Sequence, residues 1–280
     1  MGGGHLNLVF PQWQGSWPDD RTYPGALDIV DRYLGGVPHT IVPVCAQDAG
    51  CVENDIAGYR AILRQLRSAR SVIDTAQPDT LFTIGGGCDA DVLSIAYLDR
   101  LWSGDMALLW IDAHADLNIP VTSATKRFYG MPVRTLIGEG DAEIVRLLGN
   151  RLDPARIIQL AVRDVDPPER EYLATAGIRS LSVAEAEQDI DTVVRAVRDA
   201  GKSRLYIHID LDALDPDKFP HVPLPVPEGL DPDTLIRLLR RLLSEFRIPG
   251  MGLFEYMPAR TPSVPLLGEI LPMGLSLGGS

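Results

Sequence analysis

Unbroken apolar runs of strand length recur along the chain and alternate with segments whose apolar residues follow helical spacing. The clearest runs are 106–111 (MALLWI) and 205–209 (LYIHI). Runs that do not alternate with polar residues predict strands buried on both faces of a parallel sheet. Other runs predict further strands at 5–10, 40–44, 79–84, 157–162, a short segment after Gly177, and 250–255.

Helices are predicted between these strands. Over 55–75 the apolar residues recur at helical spacing, and Asn54 is the predicted N-cap. Further helices are predicted over 24–34, around 92–95, from Pro167, over 183–200 after Ser182, and over 232–246. Because strands and helices alternate through the whole chain, the predicted fold class is α/β, with a mainly parallel, doubly wound central sheet in a single domain, 1–280.

Composition narrows the class of partner. The 280 residues are 45% hydrophobic and 23% charged, as in ordinary globular proteins, and the formal net charge is −12. Such a charge argues against binding to nucleic acid or to anionic membranes, because both attract basic surfaces. No stretch approaches the roughly 18 apolar residues of a spanning helix, and the first five residues lack the features of a signal peptide. Three cysteines, Cys45, Cys51 and Cys88, form no regular framework, which favours a reducing cytoplasm.

Two of the predicted strands end in metal-ligand residues. Asp112, His114 and Asp116 follow the run 106–111 at a spacing of two, so in an extended segment they project to one side. The run 205–209 ends in the same way, with Asp210 and Asp212. Open parallel sheets place their ligand crevice at the carboxyl ends of strands.

These five side chains predict a site for two divalent ions. Carboxylates with an imidazole suit two hard-to-borderline ions that share oxygens. Taken singly, each residue has the alternative interpretation of a helix cap or a solvated turn. Acids and imidazoles at buried strand ends must, however, be paired or metal-bound, so this alternative explains the whole set poorly.

The two segments also resemble known motifs. Asp112-Ala113-His114-Ala115-Asp116 and 210–216 (DLDALDP) are similar to the two signature motifs of the arginase/agmatinase (ureohydrolase) family. The resemblance extends with gaps from about Leu81 to Pro258. It implies a three-layer αβα fold, two Mn²⁺ ions per chain, and hydrolysis of guanidinium or amidine C–N bonds.

The resemblance assigns ligand roles as well. It implies that Asp112, Asp116 and Asp210 bind one ion and that Asp112, His114, Asp210 and Asp212 bind the other, so that Asp112 and Asp210 bridge both. The bridged ions would lower the pKa of a shared water. Asp116 would also relay a proton to the leaving amine.

Cys88 occupies the position of the family's remaining ligand. The family has Gly-Gly-Asp-His-Ser at the end of an earlier strand, and this chain has 85–89 (GGGCD), with Cys88 in the histidine position. Either Cys88 is a small buried thiol, or it is a thiolate ligand that a nearby ion deprotonates. A thiolate would make the centre one unit more negative. A small branch of the family with cysteine here is specialised for Nω-hydroxy-L-arginine.

The substrate-binding positions follow from the same resemblance. Asn118, Ser123 and Thr125 match the loop that holds an α-carboxylate, Asp166 matches the acid that binds an α-ammonium, and Glu169 lies close by; Glu255 matches the guanidinium-binding glutamate. Tyr129 stands where the family often has a proton-shuttle histidine, and its unperturbed pKa near ~10 makes it a poorer shuttle. His208 and His221 are interpreted as structural.

The predicted function is that of a dimanganese hydrolase of linear amidines. Its predicted substrate is Nω-hydroxy-L-arginine or L-arginine, giving ornithine plus hydroxyurea or urea. Two alternatives remain: a hydrolase of another guanidino or formimino compound, and a degenerate family member that binds a guanidino ligand without turnover. The expected partner is a small guanidino substrate. Binding to nucleic acid or to a membrane is not expected, and both a monomer and a homo-oligomer are compatible with the sequence.

Overall fold

The computed structural model describes residues 4–16, 20–45, 51–258 and 263–277. Within these ranges the β-strands are β1 His5–Phe10, β2 Thr40–Ile41, β3 Val52–Glu53, β4 Ile56–Ala57, β5 Thr80–Gly85, β6 Met106–Ile111, β7 Ile157–Leu160, β8 Arg179–Leu181, β9 Arg204–Asp210 and β10 Arg247–Phe254. The α-helices are α1 Thr22–Tyr33, α2 Tyr59–Ala76, α3 Val92–Leu101, α4 Pro132–Ile137, α5 Ala142–Leu148, α6 Pro167–Ala176, α7 Val183–Gln188, α8 Asp191–Asp199, α9 Pro232–Glu245 and α10 Pro265–Leu275.

Eight of these strands form one parallel sheet in the order β2-β1-β5-β10-β9-β6-β7-β8. The remaining two, β3 and β4, pair antiparallel as a small hairpin. The predicted α/β class with a mainly parallel sheet is confirmed. Both predicted ligand strands are central and adjacent, since β6 pairs with β9 in a register that sets Trp110 opposite His208.

Side chains of the central strands alternate between two cores. Along β6, Ala107, Leu109 and Ile111 belong to the core that packs against α1, α8, α9 and α10. Leu108 and Trp110 belong to the opposite core, which packs against α2, α3, α4 and α5. Every residue of β6 is buried. Helices on both faces therefore exclude water from the sheet, which is why these strands read as continuous apolar runs.

Three predicted elements differ in the structure. Helix α2 begins at Tyr59 rather than at 55, because Ile56 and Ala57 form β4 and Asn54 has a φ of +52° in the hairpin turn; the N-cap position is Gly58. The helix predicted over 183–200 is two helices, since Asp189 is extended between them and its Oδ1 accepts a hydrogen bond from the Asp191 N–H. The strand predicted at 40–44 is only the two-residue edge strand β2.

The strand order decides where polar groups meet. Strands β5, β10, β9 and β6 lie side by side, although they come from separate parts of the chain. Because all four are parallel, their carboxyl ends open on the same edge of the sheet. Among the described residues, no helix has the length and hydropathy needed to span a membrane.

Candidate metal centre

Each of the four adjacent strands leads, at its carboxyl end, to a predicted site residue. Cys88 begins a short 3-10 turn that follows β5, and Asp112 follows β6 directly. Asp210 is the last residue of β9, and Glu255 comes directly after β10. All four side chains are buried. The parallel sheet thus gathers residues that are up to 167 positions apart in sequence, from 88 to 255, into one cluster.

One half of the cluster contains Asp112, His114 and Asp212. His114 Nδ1 lies 2.9 Å from Asp212 Oδ2 and 3.5 Å from Asp112 Oδ1. One donor atom from each of the three side chains lies within 4.8 Å of the others. Backbone groups orient the carboxylates, because the N–H of His114 donates to Asp112 Oδ1 and that of Ala113 donates to Asp212 Oδ1. Two oxygens and one imidazole nitrogen therefore face a common point.

The other half is built around the Cys88 thiol. Its Sγ lies 2.9 Å from Asp210 Oδ2 and 3.8 Å from Asp112 Oδ2. The Trp110 indole N–H donates to the same Asp112 oxygen at 3.0 Å. His208 Nε2 is 3.2 Å from the sulfur. Cys88 is thus in contact with two predicted ligands and with one histidine that the sequence analysis interpreted as structural.

Most carboxyl groups of the cluster have pKa values above the usual range. Burial, and then the charge of neighbouring carboxylates, raises the pKa of four carboxyl groups: Asp112, Asp116, Asp210 and Glu255. Burial, with the charges of Asp210 and Asp112, raises the pKa of the Cys88 thiol. Divalent cations would supply the counter-charge that these groups otherwise obtain by keeping protons.

His114 responds in the opposite way. Burial alone lowers the pKa of an imidazole, but the carboxylates of Asp212 and Asp112 raise the pKa of His114 well above its usual value. Asp212 is also buried, which raises a carboxyl pKa, yet His114 holds the pKa of Asp212 below its usual range. In this ion pair the second proton of His114 balances the charge of Asp212. A bound metal ion would take the lone pair of His114 and displace that proton.

Asp116 adds a further carboxylate oxygen to the site. Its Oδ2 is buried and has no hydrogen-bond partner among the described residues. The residue has a φ of +55°, in the left-handed region, while its carbonyl accepts hydrogen bonds from the N–H groups of Val133 and Arg134. Strained backbone of this kind is retained where the surroundings fix it, often at functional sites. The donor set therefore fits two divalent ions, with Asp116 Oδ2 ready to bind one of them.

Glu255 lies beside the glycine run that follows β5. It has a φ of +59°, its N–H donates to the carbonyl of Gly86 at 2.9 Å, and Ser16 Oγ donates to Glu255 Oε1 at 3.1 Å. A Cβ on Gly87 would lie 1.9 Å from Ser16 Oγ and 3.1 Å from Glu255 Oε1. Any larger residue at position 87 would therefore clash with Ser16 and crowd the carboxylate of Glu255.

Asp89 is a second acid in that region, which sequence reasoning missed. It is fully buried, and neither of its carboxylate oxygens has a hydrogen-bond partner within the described ranges. Burial raises its pKa to about 7. The glycine run ahead of it gave no sign of this, because the burial comes partly from the loop at Gly15, where a Cβ would lie 2.1 Å from Asp89 Oδ2.

The predicted substrate-loop residues lie close to one another. Asn118 Nδ2 donates to Asp166 Oδ2 at 2.9 Å, so these two residues from different loops meet. Ser123 Oγ and Thr125 Oγ1 are 3.4 Å apart, and each accepts a backbone N–H, from Lys126 and Arg127 respectively. In the contact between them, one of the two hydroxyls donates to the other.

Glu169 and Tyr129 have surroundings that bear on their predicted roles. Both carboxylate oxygens of Glu169 accept backbone hydrogen bonds, from Leu117 at 2.8 Å and Asp166 at 3.0 Å, and the residue is buried. These two hydrogen bonds position the loop at Leu117 beside Asp166, and the substrate-binding role of Glu169 stays a prediction. Tyr129 is half-buried, and burial raises the pKa of its phenol, which weakens it further as a proton shuttle near neutral pH.

Comparisons with known proteins give the same fold. An arginase of Entamoeba histolytica, solved in complex with L-ornithine, superposes with a TM-score of 0.85 at 17% identity, over 100% of this chain and 99% of that one. The proclavaminate amidino hydrolase of Streptomyces clavuligerus superposes with a TM-score of 0.75 at 20% identity, over 99% and 92% of the two chains.

Curated sequences match over a shorter range. The arginase of Staphylococcus aureus strain COL is 28% identical over 180 residues, which are 62% of this chain and 59% of the relative. The hepatic arginase of Aquarana catesbeiana is 32% identical over 166 residues, 56% of this chain and 51% of the relative. The family model described as "Arginase family" matches residues 36–265, which include the ends of all four site strands. The chain belongs to the arginase family.

Proposed function

We propose that this chain hydrolyses a C–N bond of a linear guanidino compound at a centre of two Mn²⁺ ions. The substrate we propose is Nω-hydroxy-L-arginine or L-arginine, with ornithine and either hydroxyurea or urea as products. The observation that carries the proposal is the meeting of Cys88, Asp112, Asp210 and His114 at one buried edge of the sheet. Membership of the arginase family supports the same reaction class.

The proposed ligand sets follow the two halves of the cluster. Cys88, Asp112, Asp116 and Asp210 would hold one ion, and Asp112, His114, Asp210 and Asp212 would hold the other. Ions bound there lower the pKa of water and so supply a nucleophile at neutral pH. Asp116, whose Oδ2 is buried without a partner among the described residues, would bind an ion, take up a proton and pass it to the departing nitrogen.

The substrate would lie between Glu255 and the loop around Ser123. A carboxylate accepts two N–H donors of a planar guanidinium as a charge-assisted pair, and Glu255 is proposed for this task. Asn118, Ser123 and Thr125 would bind the α-carboxylate through amide and hydroxyl donors, and Asp166 would bind the α-ammonium. The 2.9 Å hydrogen bond between Asn118 and Asp166 supports a common head-group site.

One feature favours the hydroxylated substrate. The Cys88 thiolate would make the centre more negative than a histidine ligand does, and we propose that this charge discriminates between guanidine and hydroxyguanidine. Tyr129 would replace the family's proton shuttle with a weaker one, but it does not distinguish the two substrates, because ornithine Nδ is the departing nitrogen in both. A guanidino or formimino compound of another kind remains the alternative substrate, and turnover-free binding of a guanidino ligand remains the alternative function.

A panel of substrates tests these proposals. The protein is loaded with Mn²⁺ and given L-arginine, Nω-hydroxy-L-arginine, agmatine and a formimino compound, while urea, hydroxyurea, formamide and ammonia are measured separately. Hydroxyurea as the main product supports the proposed specialisation. Formamide or ammonia from the formimino compound supports the alternative substrate, and the absence of any product from a protein that holds two ions supports the binding function. We also propose a cytoplasmic location, which the free thiols of Cys45 and Cys51 support.

A further inference from the structure

The imidazole of His208 lies in the metal cluster but has no role in the reaction proposed above. His208 is in strand β9 two residues before Asp210, so both side chains project from the same face of the strand. It is fully buried. Its Nε2 is 3.2 Å from Cys88 Sγ, and one donor atom each of Cys88, Asp112 and His208 lies within 4.8 Å of the other two.

The hydrogen bonds of the ring fix its tautomer. His208 Nδ1 lies 2.8 Å from Asp91 Oδ2, and the Tyr206 hydroxyl donates to the other oxygen of the same carboxylate. A carboxylate that accepts these hydrogen bonds keeps the imidazole proton on Nδ1, so the lone pair of Nε2 is directed toward Cys88. Histidines that bind metal are commonly held in this way, with the second ring nitrogen donating to a carboxylate.

Aromatic neighbours fix the plane of the ring. The indole of Trp110, on β6, stacks on His208 with centroids 3.4 Å apart and an angle of 2° between planes. Phe254, on β10, stacks on the other side at 4.7 Å and 11°. The imidazole can therefore neither tilt nor turn without breaking the stack. The direction of the Nε2 lone pair is preorganised, as a ligand requires.

Cys88 and Asp91 hold the ring from its two ends. Both belong to the 3-10 turn Cys88–Asp91, and they contact Nε2 and Nδ1 respectively. The glycine at 252 leaves room for this arrangement, since a Cβ there would lie 2.5 Å from Asp91 Oδ2. One turn of the chain thus supplies both the thiol that lies beside the ring and the carboxylate that orients it.

We propose that His208 Nε2 is itself a metal ligand, in the half of the centre that contains Cys88. A histidine on strand β9 would then supply the imidazole that Cys88 replaces on the turn after β5. The inference rests on the proposed metal-dependent function. Sulfur and imidazole together prefer softer ions than carboxylates do, so this half should bind Co²⁺ or Zn²⁺ more tightly than Mn²⁺.

Cobalt offers a direct count of bound histidines. The wild-type protein is labelled with ¹⁵N-histidine, stripped of metal and titrated with Co²⁺ alone. A coordinated imidazole keeps an exchangeable N–H whose NMR signal the paramagnetic ion shifts strongly, while a histidine that only lies beside Cys88 shows a much smaller shift. We expect two strongly shifted imidazole systems in the wild type, one from His114 and one from His208. A single system would overturn the proposal, without need of any variant.

Variants assign the signals. His208→Phe keeps an aromatic ring in the stack and removes both nitrogens, so it should lose one shifted system and weaken the binding of one Co²⁺ by at least about tenfold. His221→Gln, which changes a partly exposed histidine outside the cluster, should change neither. If His208→Phe keeps both shifted systems and the wild-type affinity, His208 is not a ligand. If the wild type binds no Co²⁺ at all, the proposed function fails together with the inference, whereas two bound ions with one shifted system overturn the inference alone.

Discussion

The thiol of Cys88 donates a hydrogen bond to Asp210, with 2.9 Å between Sγ and Oδ2, although strand β10 lies between the strands that carry them. The contact lies at the carboxyl edge of the sheet, beyond the ends of the strands, where the turn after β5 and the end of β9 both project. Because an S–H group can donate only while it keeps its proton, this hydrogen bond marks the place where a cation would displace that proton.

Replacing Cys88 should change which substrate is preferred. Cys88→His would remove one negative charge from the buried site, and it should raise activity on arginine relative to hydroxyarginine. One charge in such a site is worth more than about 1.4 kcal/mol, so the ratio of kcat/KM values should shift by at least about tenfold. Cys88→Ser should instead lower metal occupancy, because an alcohol is a poorer anionic ligand than a thiol. Steady-state kinetics and metal analysis measure both.

Cys51→Ser is the matched control, since Cys51 is an exposed free thiol outside the cluster. It should leave metal content and the substrate ratio at wild-type values. If all three variants behave alike, Cys88 is a packed thiol, and hydrolysis of arginine becomes the better hypothesis.

Asp210→Asn should lose metal and activity together. The variant keeps the oxygen that accepts the Asp212 N–H at 2.7 Å, so the local backbone is preserved. It removes a charge that we propose to be shared by two ions. Loss of an outer-shell partner typically costs 10–100-fold in metal affinity or activity, and a bridging ligand should cost at least about 100-fold. Metal content by mass spectrometry and turnover on the same sample measure the effect.

Asp217→Asn, in the exposed loop that follows, is the control for that experiment. It should retain both ions. An Asp210→Asn protein with two ions and near wild-type turnover would refute the bridging role.

The fold and most of the polar cluster could be predicted because their signals are local. A strand buried on both faces has an unbroken apolar sequence, and the proposed ligands at its end follow within a few residues, as at Asp112 and Asp210. The position of His208 in the cluster was not predicted, because its neighbours in sequence are apolar. The carboxylate that orients it, Asp91, is 117 residues away, and no local pattern records that pairing.

Boundaries and single buried charges were harder to predict for similar reasons. The apolar Ile56 fits the helical spacing of α2, but it pairs in β4 instead, since the turn at Asn54 has a positive φ. Asp89 looks like an ordinary acid at the start of a helix. Its burial is decided by the packing of the separate loop that contains Gly15, which sequence spacing does not reveal.

Glu255→Gln should weaken substrate binding while leaving the metal centre intact. The amide has the same shape and can still accept the hydrogen bond from Ser16, but it offers no negative charge to a guanidinium. Hydrogen bonds to charged groups contribute about 1.5–3 kcal/mol, so kcat/KM should fall about 10- to 150-fold. Kinetics and metal content are measured together. Loss of the ions in this variant would mean that Glu255 acts through the metal centre and not on the substrate.

Asp89→Asn should stabilise the metal-free protein more as the pH rises. Burial raises the pKa of Asp89 from 3.8 to about 7 in the folded state, so between these values the folded protein holds a proton that the unfolded chain has released. The free energy of unfolding therefore falls as pH rises through this window, by up to about 4 kcal/mol. Asparagine carries no such charge, so any cost of burying its amide is the same at each pH.

Urea unfolding of chelator-treated wild-type, Asp89→Asn and Asp217→Asn proteins, at intervals from pH 5.5 to 8.5, measures this difference. The stability advantage of Asp89→Asn should be larger at each higher pH up to about 7 and then level off, since the wild-type carboxyl is by then ionised in both states. Asp217 is exposed, so its variant should follow the wild-type curve. Parallel curves for wild type and Asp89→Asn would mean that the carboxylate of Asp89 is stabilised in the folded protein and that its pKa is not raised.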